Sequence, residues 1–153
     1  MNNLPITFMA SVLLWILFSG LFVLWFIDGK IKKEQVLHAL FSTLTAWVIT
    51  LLIKNFFPVD RPFLQKSVET YTLTTPNDGA FPSAHVAVAF ALSVTIFLHD
   101  RKVGWFYLLA AILIGIARVM ANVHYPTDIL GGALLGTLVA IVVEKTHFFK
   151  LKA

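Results

Sequence analysis

The stretch Arg118-Val-Met-Ala-Asn-Val-His124-Tyr-Pro-Thr-Asp128 lies between two apolar runs, residues 103–117 and 129–143. Either run is apolar enough to live inside a bilayer, where an Arg, a His and an Asp are costly to place and so want a reason. His124 and Asp128 are four apart, one face of a helix, but Pro126 interrupts any continuous helix between them. The segment Tyr125-Pro126-Thr127 therefore reads as the turn into a new helix, because Pro is well tolerated in a first helical turn. A carboxylate just after that turn can hold one ring nitrogen of His124 and leave the other free to react.

Composition sets the surroundings. Of 153 residues, 58% are hydrophobic and 13% charged, and the mean hydropathy is +0.82. A soluble domain is nearer a quarter charged. The chain reads as one membrane-embedded, all-α domain over residues 1–153. The absence of cysteine removes disulfides and thiolate metal sites.

Five spans are expected, at residues 4–27, 36–57, 82–98, 103–121 and 126–143. The first is long enough to cross a core of roughly 30 Å. Met1–Thr7 carries no basic residue, so this run is expected to be retained rather than cleaved as a signal peptide. Residues 28–34 read as a polar turn and 144–153 as a basic tail. An outer loop over about 58–81 holds Pro58, Pro62, Pro76 and the turn signal Asn77-Asp78-Gly79.

Alternating the spans across a membrane puts Lys30, Lys32, Lys33, Arg101, Lys102, Lys145, Lys150 and Lys152 on one side. Lys54, Arg61, Lys66 and Arg118 fall on the other. The positive-inside rule makes the first side cytoplasmic, with the amino terminus outside and the carboxyl terminus inside a cell membrane. The net charge of +4 thus follows membrane topology and gives no reason to expect a nucleic-acid partner. Trp25 and Trp105 fall where interfacial belt residues would.

Three stretches then meet at the outer face: Lys54 to Pro62, Phe81-Pro82-Ser83-Ala84-His85, and Arg118 to Asp128. Lys54, Arg61 and Arg118 can fork onto phosphoryl oxygens. The N–H groups of Ser83, Ala84 and His85 at a helix start would form an anion seat. Two histidines allow one to act as nucleophile and the other as proton donor. Singly, these residues have duller readings: Lys54 and Arg61 as snorkelling headgroup contacts, Asp128 as a helix cap. Their joint arrival on one face favours a phosphate site.

The series Lys-x6-Arg-Pro, Pro-Ser-x-His and Arg-x5-His-x3-Asp resembles the type 2 phosphatidic acid phosphatase (PAP2) family, whose site is shared with vanadium haloperoxidases. The resemblance implies that His124 becomes phosphohistidine, Asp128 orients it, and His85 protonates the leaving group and later activates water. It also implies that Lys54, Arg61 and Arg118 clamp the phosphate, with Ser83 and the Ala84 N–H completing the cradle, and that no metal or other cofactor is used. The chain has Ala117 where the family usually has Ser, and Ala84 where it often has Gly. Many bacterial relatives have six spans.

The implied activity is dephosphorylation of a lipid phosphate at the outer leaflet, with undecaprenyl diphosphate the leading substrate. Phosphatidylglycerophosphate, phosphatidic acid and lipid A are the alternatives, as is phosphotransfer. From other classes come a small transporter and a non-catalytic phospholipid-binding protein. Transport is disfavoured by uncharged span centres; mere binding would not need both histidines. His38, His99 and His147 fall on the cytoplasmic side and are read as structural. Gly132-Ala-Leu-Leu-Gly136 has GxxxG spacing, suited to close packing against a span of the same chain or of a second copy.

Overall fold

The computed structural model describes residues 3–26 and 30–146, with the side chains of 30–32 also left undescribed. The tail beyond 146, with His147, Lys150 and Lys152, lies outside the described residues, as do Asp28 and the side chains of Lys30 and Lys32. Seven helices are described: α1 (Leu4–Ser11), α2 (Leu13–Phe26), α3 (Lys30–Phe56), α4 (Pro62–Lys66), α5 (Ala84–His99), α6 (Arg101–Met120) and α7 (Pro126–Thr146). No strand occurs among the described residues. The expected polar turn at 28–34 is shorter than read, since α3 is already helical from Lys30.

The first expected span is not one straight helix. α1 and α2 meet at Val12 with a bend of 48°. Neither Pro nor Gly sits at the break. Instead the Ala10 carbonyl accepts a hydrogen bond from Arg118 Nη1 at 3.2 Å, and the Ser11 hydroxyl accepts from the Leu73 N–H at 3.2 Å. Side chains that draw on the polar groups of a helical turn are a recognised cause of sharp kinks. Ala10 packs with Ala117, Ala121 and Val123, so small side chains bring α1 against the end of α6.

α5 is the hub, packing on α3, α6 and α7. At 16 residues it is about 24 Å long, near the length expected from 82–98 and short of a core of roughly 30 Å. Pro82 and Ser83 lie outside the helix, Ser83 being extended at its N-cap. α3, α6 and α7 are long and apolar enough to cross a membrane, and the bent α1–α2 pair would make a fourth span. By length, three or four of the five expected spans are thus long enough to cross a membrane, and α5, where the third was expected, is the shorter one. α5 can be short because neighbouring helices, rather than lipid, surround most of it: Val86, Ala87, Ala89, Ala91, Leu92 and Ile96 are all fully buried. By contrast Leu130, Leu134, Leu138 and Val142 form an exposed apolar strip on α7. Helical spacing of four aligns them along one face, suited to lipid.

The GxxxG pair seats α7 on α5 of the same chain. A Cβ at Gly132 would stand 2.7 Å from the Ser83 carbonyl oxygen, and one at Gly136 would stand 2.2 Å from that of Ala87. These neighbours are backbone and cannot swing aside. Gly136→Val is therefore expected to force α5 and α7 apart, at an overpacking cost of about 1–3 kcal/mol. The check is a lower melting midpoint in detergent than for the exposed control Leu138→Val.

Candidate active site

The site is assembled at one end of the bundle from the end of α3, the loop before α4, the start of α5 and the α6–α7 turn. α7 begins at Pro126 as the sequence indicates, and Asp128 sits in its first turn. From there one carboxylate oxygen reaches back to accept the Tyr125 N–H at 2.8 Å. This is a capping-box geometry from inside the helix rather than an N-cap. The same oxygen lies 3.3 Å from His124 Nδ1. His124 and Asp128 are both buried.

The tautomer of His124 follows from its neighbours. Arg61 Nη1 lies 3.3 Å from His124 Nε2, and a guanidinium can only donate. Nε2 therefore presents its lone pair, and the proton sits on Nδ1, facing Asp128. Burial pushes His124 down to about 4, against the upward pull of its hydrogen bond to Asp128, with Arg118 and Arg61 lowering it further. The ring is a neutral base at physiological pH.

Arg61 is extended just before Pro62, which opens α4, so its side chain points back into the site. Nε donates to the Asp78 carbonyl at 2.8 Å, and Nη1 donates to the Val123 carbonyl at 2.7 Å. Nη2 meets Asp78 Oδ1 at 2.7 Å and the Gly79 carbonyl at 3.2 Å. Lys54, in the last turn of α3, donates to Asp78 Oδ2 at 2.5 Å and to the Gly79 carbonyl at 2.7 Å. Asp78 is the residue that sequence reasoning missed. It registered there only as part of a turn signal, although a carboxylate between two cationic motifs is a hint of pairing. Burial pushes the Asp78 carboxyl up, but Lys54 and Arg61 outweigh it and hold it at about 2.

Of the anion seat expected from Ser83, Ala84 and His85, the Ser83 N–H drops out. It donates to the Asp128 carbonyl at 3.0 Å, a bond that ties the second motif to the third. The Ser83 hydroxyl and Arg118 Nε are buried with no protein partner among the described residues. Buried polar groups of this kind are rare and ask for a ligand. Ala84 opens α5 and is not among the residues with positive φ, so glycine is not required there. Ala117 is fully buried against Ala10, Ala121 and Val123, where its methyl group serves packing.

Lys54, Arg61, Ala84, His85, Arg118 and His124 line one cavity of about 680 Å³, together with Asp78. Its other end is apolar, walled by Leu14, Trp15 and Phe18 of α2 and by Leu44, Trp47 and Leu51 of α3. The bent first segment thus contributes a wall of the cavity. Loop 58–81 is fastened over the third motif. Tyr71 N–H donates to the Ala121 carbonyl at 3.2 Å, and the Tyr125 hydroxyl donates to Gln65 Oε1 at 2.6 Å.

Asp78 holds two cations that an incoming anion would also use. Asp78→Asn keeps the shape and removes the charge. Inorganic phosphate is then expected to inhibit more strongly, by up to about fivefold, the scale of a half-exposed ion pair of ~1 kcal/mol. Phosphate titration of the turnover rate in both proteins checks this.

An apolar helical bundle with a cationic, two-histidine cavity at one end defines the class: a membrane phosphatase acting on lipid phosphates. Residues 35–152 match the PAP2 superfamily, and the chain belongs to that superfamily. It is 31% identical over 143 residues to the bacitracin transport permease protein BcrC of Bacillus licheniformis, covering 94% of this chain and 70% of that one. It is 29% identical over 122 residues to the undecaprenyl-diphosphatase BcrC of Bacillus subtilis, covering 80% of this chain and 63% of that one. Among solved structures, Aquifex aeolicus LpxE superposes with a TM-score of 0.76 at 26% identity, over 95% of this chain and 88% of that one. The phosphatidylglycerolphosphate phosphatase of Bacillus subtilis superposes with a TM-score of 0.66 at 25% identity, over 95% and 77%.

Proposed function

We propose that the protein removes the terminal phosphate of undecaprenyl diphosphate at the outer face of the cell membrane. The observation that carries this reading is the single cavity that joins a neutral, Asp128-oriented His124 to an apolar wall suited to a polyprenyl chain. The name of the Bacillus subtilis relative supports the choice of substrate.

In the proposed cycle, Lys54, Arg61 and Arg118 hold the terminal phosphoryl oxygens, with the Ser83 hydroxyl and the Ala84 N–H completing the cradle. His124 Nε2 attacks the terminal phosphorus in line. A phosphorus–nitrogen bond forms as the bridging phosphorus–oxygen bond breaks. His85 donates a proton to the departing lipid phosphate, and Asp128 stabilises the charge that develops on His124. His85, now neutral, takes a proton from water, which attacks the phosphohistidine and releases inorganic phosphate. Lys54 and Arg61 must leave Asp78 or share it with the phosphate.

The positive-inside count supports a site on the outer face, with the carboxyl terminus in the cytoplasm. Phosphate release by purified protein in chelator tests the reading. Undecaprenyl diphosphate, phosphatidic acid, phosphatidylglycerophosphate and lipid A are each run beside His124→Ala. Release from undecaprenyl diphosphate that vanishes in the variant is the expected result. Preference for another of the four reassigns the substrate, and no release above the variant on any of them returns the transport or binding alternatives.

A further inference from the structure

At the other end of the bundle, three residues that the phosphatase chemistry does not use converge from three helices. His38 of α3, His99 of α5 and Glu144 of α7 bring one ligand-type atom each to within 4.8 Å of one another. Glu144 Oε2 lies 3.1 Å from His38 Nδ1 and 3.7 Å from His99 Nδ1. Zinc bonds to nitrogen and oxygen of about 2.0–2.2 Å place tetrahedral ligand atoms about 3.3 Å apart. The Glu144–His38 distance lies close to that value, while the His99 nitrogen measured faces a backbone carbonyl, so His99 would ligate through Nε2.

We infer that His38, His99 and Glu144 form a binding site for a first-row divalent transition ion, with zinc the ion their ligand chemistry suits. Two imidazoles with one carboxylate are a zinc-type donor set, whereas calcium and magnesium favour all-oxygen ligands. His99 is fixed by its surroundings, Nδ1 standing 3.0 Å from the Thr95 carbonyl. A histidine that donates one ring N–H to a carbonyl offers its other nitrogen as a lone pair, a common arrangement around metals.

A fourth donor is close along the chain. Gln35 lies three residues before His38 on α3, so the two share a helix face. Its Nε2 donates to the Ile96 carbonyl at 3.4 Å, while its Oε1 is buried without a partner among the described residues. Glu144 keeps 27% of its side chain exposed and His99 keeps 12%, while that of His38 is fully buried. An ion therefore has a way in from the bundle end. His85 and His99 are fourteen residues apart on α5, about 21 Å along its axis, so this site stands apart from the candidate active site and has a different chemistry. Bound metal would tie together the adjoining ends of α3, α5 and α7.

The test uses the full chain purified without a polyhistidine tag, equilibrated in detergent with zinc chloride and passed through a desalting column. Elemental analysis is expected to find one zinc per chain in the wild type and in His85→Ala, and background zinc in His99→Ala and Glu144→Gln. Cobalt loaded into the wild type is expected to give the intense visible absorption of a tetrahedral site, a readout that needs no variant to fold. Background zinc in the wild type, or zinc retained in both variants, overturns the site and leaves a hydrogen-bonded helix clamp only.

Discussion

His124→Ala is expected to lower phosphate release by about 10⁴-fold or more, the scale seen when the nucleophile of a concerted set is removed. The size follows from placement. His124 Nε2 is the one imidazole lone pair pointed at Arg61 and backed on its far nitrogen by Asp128. Neither the clamp nor His85 can replace a bond-forming atom. Time-resolved phosphate release measures the fall, and acid-labile, base-stable radiolabel on the wild type but not the variant would identify the phosphohistidine. A loss below tenfold would remove His124 from the bond-forming role.

The same residue carries a pH signature in stability. Its ordinary value is 6.5, and burial holds it at about 4 in the folded protein. Between those values the unfolded chain binds a proton that the folded chain does not. The contribution of His124 therefore falls as pH drops from about 6.5 towards 4. Wild type should lose more of its melting midpoint over that window than His124→Ala does.

The second large effect is expected at Arg61, where charge and shape can be separated. Its guanidinium holds the carbonyl oxygens of Asp78 and Gly79, that of Val123 and the Asp78 carboxylate. Arg61→Ala takes this donor from the Asp78 and Val123 carbonyls, while Lys54 still holds the Asp78 carboxylate and the Gly79 carbonyl. The expected loss of stability is on the order of 3 kcal/mol, less than for a fully buried pair because Asp78 is half exposed. Arg61→Lys keeps the charge and recovers part of that stability, but one ammonium cannot reproduce a planar fork. Its rate is expected to stay about 10²–10³-fold down, as when a transition-state donor is removed. Melting midpoints and kcat measured on both variants separate the two roles. Recovery of the rate by Lys would reduce Arg61 to a point charge.

Apart from Asp78, the residues that line the polar end of the cavity were legible because their types and spacing are local. Pro126 suits a first helical turn, and Asp128 four residues after His124 reaches back to it across one turn. The apolar runs likewise marked the membrane helices, since a lipid-facing strip such as Leu130, Leu134, Leu138 and Val142 writes its period into the chain. The small residues at 132 and 136 announced a close helix contact without naming the partner.

Other features depended on which parts of the chain meet. Asp78 binds Lys54 across 24 residues, and Arg118 takes the carbonyl of Ala10 across 108. The Ser83 N–H is claimed by Asp128, and His38 meets Glu144 across 106 residues. Hydropathy and helical period record which face of a segment avoids water, but not which polar group across the bundle answers it. That pairing, and with it the bend at Val12 and the cluster at the far end, was decided only when the helices packed.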